Sequence, residues 1–147
     1  MSTTPSKPSA LIKPTLDTKF NIDYSWWERS DEGDLKTYLL SHLSPEQREK
    51  LGQSDEESII DYVDADTGEV FQVNELQREI QIAIKQPDFI NPQISVVDNI
   101  FRVFLATNNQ PLSPRELETR IDRPAASILK MLSGSRIYKG IRPTQNT

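Results

Sequence analysis

The sequence predicts an α+β protein, and three observations carry that prediction. Between Ile59 and Val73, two short runs of β-branched and aromatic residues flank Asp64-Ala65-Asp66-Thr67-Gly68, a strand, a turn and a strand. On either side of this hairpin, apolar residues recur at helical spacing in segments that open on Ser, Asn or Pro and close on Gly or Pro. The charge is also divided: residues 1–98 hold 9 Lys and Arg against 19 Asp and Glu, whereas residues 99–147 hold 8 against 3. A part of net charge -10 is thus joined to one of +5. Together these predict a tail over 1–18, an acidic α+β region over 19–92, a basic three-helix module over 93–143 and a short tail over 144–147.

The first segment is rich in Pro, Ser and Thr, and its few apolar residues (Leu11, Ile12, Leu16) follow no period, which predicts a disordered tail. Phe20, Ile22, Tyr24 and Trp26 then alternate as in a strand, with Trp27 facing the other way. Tryptophan at Trp26 and Trp27 fits either a core position or an anchor for a partner. A helix is predicted from about Asp31 to Leu43, and a second from the Ser44-Pro45 cap to Gly52, followed by an acidic loop to Ser58. After the hairpin, Asn74 caps a helix whose stripe is Leu76, Ile80, Ala83 and Ile84, and Pro87 ends it. Three further helices are predicted over about 93–107, 114–121 and 123–132.

Composition excludes several kinds of chemistry. There is no cysteine and one histidine, which removes disulfides, thiolate zinc sites and thiol catalysis and makes a reducing cytoplasm the expected setting. His42 has no second histidine or cysteine to share a metal with, and the five glycines form no phosphate loop. Asp64 to Glu69 falls short of a calcium loop, because its glycine comes at the fifth position and Leu76 stands at the twelfth. No run approaches the roughly 20 apolar residues of a membrane span. The chain is therefore expected to be a binding protein, not an enzyme, with no cofactor and no metal.

The C-terminal module is the most informative part. Ser113 caps the second of its helices, Pro114 takes the first turn and Glu116 completes a capping box. Asp122-Arg123-Pro124 breaks that helix and offers Asp122 as the cap of the third. On the third helix Ala125, Ile128, Leu129 and Leu132 share one face, while Arg123, Ser127 and Lys130 share the opposite one. Beyond it, Lys139-Gly140 can turn a minimal hairpin with Ile137 and Ile141 inward and Arg136 and Arg142 outward. The first helix of the module adds Val96, Ile100 and Val103 to its main stripe, so it needs cover on two sides, from the N-terminal portion or from a partner or second copy.

Ile100-Phe101-x-x-Phe104-Leu105, Pro111-Leu112-Ser113-Pro114-x-Glu116-Leu117, Ile128-Leu129-x-x-Leu132 and the basic segment after them resemble the winged helix-turn-helix superfamily over about residues 93–143. The resemblance implies that the third helix enters a DNA groove with Arg123, Ser127 and Lys130, while Arg136, Lys139 and Arg142 form a wing on the phosphate backbone. The expected function is duplex DNA binding by a small transcription or chromosome-associated regulator. The alternative is a protein–protein adaptor on the same scaffold, docking a partner or a second copy through Trp26, Trp27, Val96, Ile100 and Val103, with the acidic region as a further partner-binding element.

Overall fold

The structure, a computed structural model, describes residues 13–31, 33–52 and 59–144. The expected acidic loop before Ser58 and most of the expected tails lie outside these residues. The chain is α+β and divides into two compact units: one runs to Arg29 and resumes at Ile90, the other is Ser30–Phe89. This division differs from the one expected. Residues 19–29, grouped by sequence with the acidic region, belong to the same unit as the C-terminal helices.

In the first unit, β1 (Phe20–Ile22) is followed by α1 (Tyr24–Arg29), and after the intervening unit come α5 (Val96–Ala106), α6 (Pro114–Ile121), α7 (Ala125–Leu132) and β4 (Ile141–Pro143). The alternation from Phe20 to Trp26 therefore holds only as far as Ile22. The reason is local: Asp23 Oδ1 accepts from both the backbone N–H and the hydroxyl of Ser25, and the Asp23 carbonyl accepts from Trp26 N–H, which starts a helix. β1 pairs antiparallel with β4, Phe20 opposite Pro143 and Ile22 opposite Ile141. On its other edge Phe20 exchanges two backbone hydrogen bonds with Leu112, of 2.8 and 2.9 Å. Beside it Asn109 pairs with Ile22 as a strand residue would, its amide group donating to Ile22 O and accepting from Ile22 N–H.

Residues Thr15 to Thr18, expected in a disordered tail, are likewise held, together with Lys19 beside them. Leu16 O accepts from Arg115 N–H, Asp17 pairs with Arg115, and Lys19 donates to Glu116. Glu116 also completes the predicted capping box with Ser113. Its carboxyl is held below the usual carboxylate range, by the Lys19 bond first and the Ser113 N–H next.

The core of this unit is Phe20, Ile22, Trp27, Ile100, Phe101, Val103, Phe104, Leu112, Leu117, Ile121, Ile128 and Ile141, all buried. α5 does receive its second cover from the N-terminal portion, where Trp27 meets Phe101 edge to face with ring centroids 6.4 Å apart.

The second unit comprises α2 (Leu35–Leu40), α3 (Pro45–Gly52), β2 (Ile60–Val63), β3 (Val70–Val73) and α4 (Glu75–Ile84). α2 is shorter than its apolar period, because Asp34 accepts from Lys36 and Thr37 N–H and so caps the helix after the acidic residues expected in its first turn. β2 and β3 form the predicted hairpin, Tyr62 opposite Phe71 and Val63 opposite Val70. The acidic turn is structural: Asp64 Oδ1 accepts from Asp66 and Thr67 N–H, and Lys85 bridges Asp64 and Asp66. Asn74 caps α4 in a reciprocal box with Gln77. Buried Glu79 ties α4 to α3 through Gln47 and Lys50, with Arg78 alongside. His42 is buried edge-on to Tyr38.

Candidate nucleic-acid interface

α6 and α7 are two short helices joined by a tight turn, and two contacts set that turn differently from expectation. Asp122 does not cap α7; it ends α6 in a left-handed conformation at φ 56°, its N–H donating to Glu118 O. Asp tolerates this region because its short polar side chain adds little steric conflict. The N-terminus of α7 is satisfied instead by Glu118, whose carboxylate accepts from Ala125 N–H at 2.9 Å. With α7 so anchored, Ala125, Ile128 and Leu132 are buried, Leu129 is half-buried, and Ala126, Ser127 and Lys130 are exposed. The predicted inner and outer faces hold for residues 125–132, but Arg123, expected on the outer face, lies in the turn before α7 and is half-buried.

Past α7 the chain departs from a wing. Lys139 and Gly140 do turn, at φ 54° and 78°, with Ile141 N–H donating to Tyr138 O. Residues 136–138, however, form no strand, and β4 pairs with β1 across the molecule. A hairpin of 136–142 was expected because its two limbs are adjacent in sequence. β1 offers β4 more, with Phe20 and Ile22 both buried beside Ile141.

The six predicted cations and polar residues consequently fall in three places. Ser127 and Lys130 of α7 share a groove of about 520 Å³ with Ser135, Arg136 and Tyr138, and no carboxylate lines it. The Arg136 guanidinium lies 4.8 Å from the centre of the Tyr138 ring. Arg123 lies in a separate groove of about 450 Å³ whose lining includes Arg115 but also Glu118 and Asp122. Lys139 and Arg142 are bound into the sheet side. The Lys139 carbonyl accepts the Trp27 indole N–H at 3.2 Å, and Arg142 pairs with Asp23 at 3.0 Å. The Asp23 carboxyl is held below its ordinary range by the Ser25 hydroxyl foremost, and by the Ser25 N–H, Arg142 and Arg29. Arg142 is thus a structural cation of the β1–β4 pair and not the tip of a wing.

Of the residues expected to meet a protein partner, Trp27, Ile100 and Val103 are core, at 7%, 0% and 2% exposure. Trp26 and Val96 are half-buried, Trp26 standing edge-on to Trp27 at 5.1 Å. Trp27, Ile100 and Val103, so covered by their own unit, offer no surface to a second chain. The sequence reading missed Ser135 and Tyr138. The signal for Tyr138 was its place two residues after Arg136, which puts both on one side of an extended segment.

Among the described residues no group of three or more His, Asp or Glu is placed to hold a metal ion, and no helix is long and apolar enough to cross a membrane. In comparisons with known proteins, no family model, curated protein or solved structure matches this chain.

Proposed function

We propose that the unit formed by residues 13–29 and 90–144 binds duplex DNA through the outer face of α7 and the segment after it, as part of a small DNA-associated regulator. One observation carries this reading: the second helix of a helix–turn–helix presents Ser127 and Lys130 in a carboxylate-free groove with Ser135 and Arg136. Two cations and two hydroxyls suit phosphate oxygens, and small Ala126, exposed next to Ser127 in the helix, lets α7 approach a groove closely. By structural unit the charge division sharpens into function: residues 30–89 carry 5 Lys and Arg against 15 Asp and Glu, so the remaining residues sum to +5. The cations of the groove therefore belong to the only net-basic unit of the chain. Without a wing hairpin, contact centres on a single groove of the duplex, and Arg123 serves at its margin.

The test is a salt titration of the full-length chain on labelled duplex DNA, followed by anisotropy. Lys130→Ala and Arg136→Ala should each weaken binding and each lower the log–log salt slope by about 0.9, the value for one phosphate contact. Arg142→Ala should leave the slope unchanged, since Asp23 holds that side chain. Absence of DNA binding at low salt, or binding indifferent to both groove substitutions, would refute the proposal.

A further inference from the structure

The hairpin of the second unit has two unlike faces. Residues directly opposite in an antiparallel pair share a face, so Ile60, Tyr62, Phe71 and Val73 lie on one side. Ile59, Asp61, Val63, Val70 and Gln72 lie on the other. On the first side only Phe71 is exposed, and α4 follows directly on β3 and packs with it. On the second side every residue is exposed, including three β-branched aliphatics: Ile59 at 64%, Val63 at 56% and Val70 at 60%. A sheet face that meets only water reads as polar at alternate positions. This one is aliphatic at three of five.

We infer that this open face, centred on Val63 and Val70 and marked by Asp61, docks a basic amphipathic segment of a protein partner. Charge decides the occupant. The unit has ten more acidic than basic residues, Asp61 stands in the face itself, and Glu69 adjoins Val70. A second copy would set like charge against like around the contact, whereas an apolar stripe flanked by Lys or Arg matches both the aliphatic patch and its acidic border. A helix laid on this face would also give its exposed aliphatics the apolar layer they lack. The inference does not depend on the nucleic-acid reading, which concerns the other unit.

The probe is a synthetic peptide of about four helical turns made only of Leu and Lys, with Leu forming one face. A peptide of the same composition, shuffled to destroy that face, is its control. Anisotropy with the full chain, free of nucleic acid, should show binding of the first peptide in preference to the second. Val63→Thr with Val70→Thr, which keeps β-branching and so the strands, should weaken it roughly tenfold. Asp61→Asn should weaken it by about threefold and flatten its salt dependence. Methyl chemical shifts should move at Ile59, Val63 and Val70 and stay at Ile60 and Val73, a readout that needs no variant. Equal binding of the shuffled peptide, indifference to the double substitution, or shifts elsewhere would overturn the inference. So would sedimentation of the chain as a dimer that the double substitution dissociates, because the occupant would then be a second copy.

Discussion

Replacing Phe20 by alanine tests the central feature of the fold, the incorporation of an N-terminal strand into the C-terminal helical unit. Phe20 has no exposed surface, and its backbone is bonded to Leu112 on one side and paired with Pro143 on the other. The substitution keeps those backbone bonds and removes only packing. The lost burial of an aromatic ring is worth about 1.5–3 kcal/mol, and the cavity left among Ile22, Leu112 and Ile141 raises the expected loss to roughly 3–5 kcal/mol. Both tryptophans of the chain lie in this unit, so tryptophan fluorescence reports its unfolding separately from that of residues 30–89. In urea, the tryptophan transition should move to lower denaturant with its slope unchanged. A tyrosine signal from Tyr38 and Tyr62 should hardly move. A loss below about 1 kcal/mol would refute the placement of β1, since no fully buried phenyl group is deleted so cheaply.

Further outcomes follow for two glycines and for Asp23. Gly140→Ala should destabilise this unit by roughly 1–3 kcal/mol, because φ is +78° and the new Cβ would lie 3.0 Å from both Asp23 O and the Trp27 indole nitrogen. Gly68→Ala, at the same φ but with open space around it, should cost only the backbone strain of about 1 kcal/mol, so the difference between the two isolates the close approach. The Asp23 carboxyl should titrate by NMR below the ordinary aspartate value of about 3.9. Its contribution to stability is then fully present above that value and lost as pH falls through the lower, folded one. Asp23→Asn should remove this acid step from the tryptophan signal, and a carboxyl titrating at or above the ordinary value would contradict the Ser25 and Arg142 contacts.

What was legible in the sequence is what is encoded within a few residues. The capping boxes at Ser113 and Asn74, Pro114 at a helix start and the Asp64–Gly68 turn each satisfy their own backbone locally, so periodicity and caps located α3, α4, α6 and the hairpin closely. The inner and outer faces of α7 were legible for the same reason. Features set by distant parts of the chain were not. β1 and β4 are a strand pair only through each other, and neither three-residue run announces its partner. Ile100 and Val103 looked like surplus apolar residues because the segment that packs on their helix, Trp27 included, was assigned to another region. Asp122 looked like a cap because Glu118, which satisfies Ala125 instead, acts across the turn from the preceding helix.

The acidic unit interrupts the basic one, and this ordering constrains how the chain can be made. Asp23 and Arg142 are 119 residues apart, so the strand that completes the sheet leaves the ribosome long after the strand awaiting it. At about 5–20 residues per second the wait is of order 6–24 s. Throughout it Phe20, Ile22, Trp26 and Trp27 have no β4 to close over them. Residues 30–89, a compact unit of contiguous sequence, are all made before β4 and can fold in the interval, and a folded insert roughly halves the length of free chain to be closed, a gain of about 0.6 kcal/mol in loop entropy. Refolding from denaturant should follow the same order, tyrosine signals of the insert recovering before tryptophan signals of its host. A nascent chain stalled before Ile141 would carry a finished acidic unit beside an uncovered aromatic segment, the form in which chaperones would meet this protein.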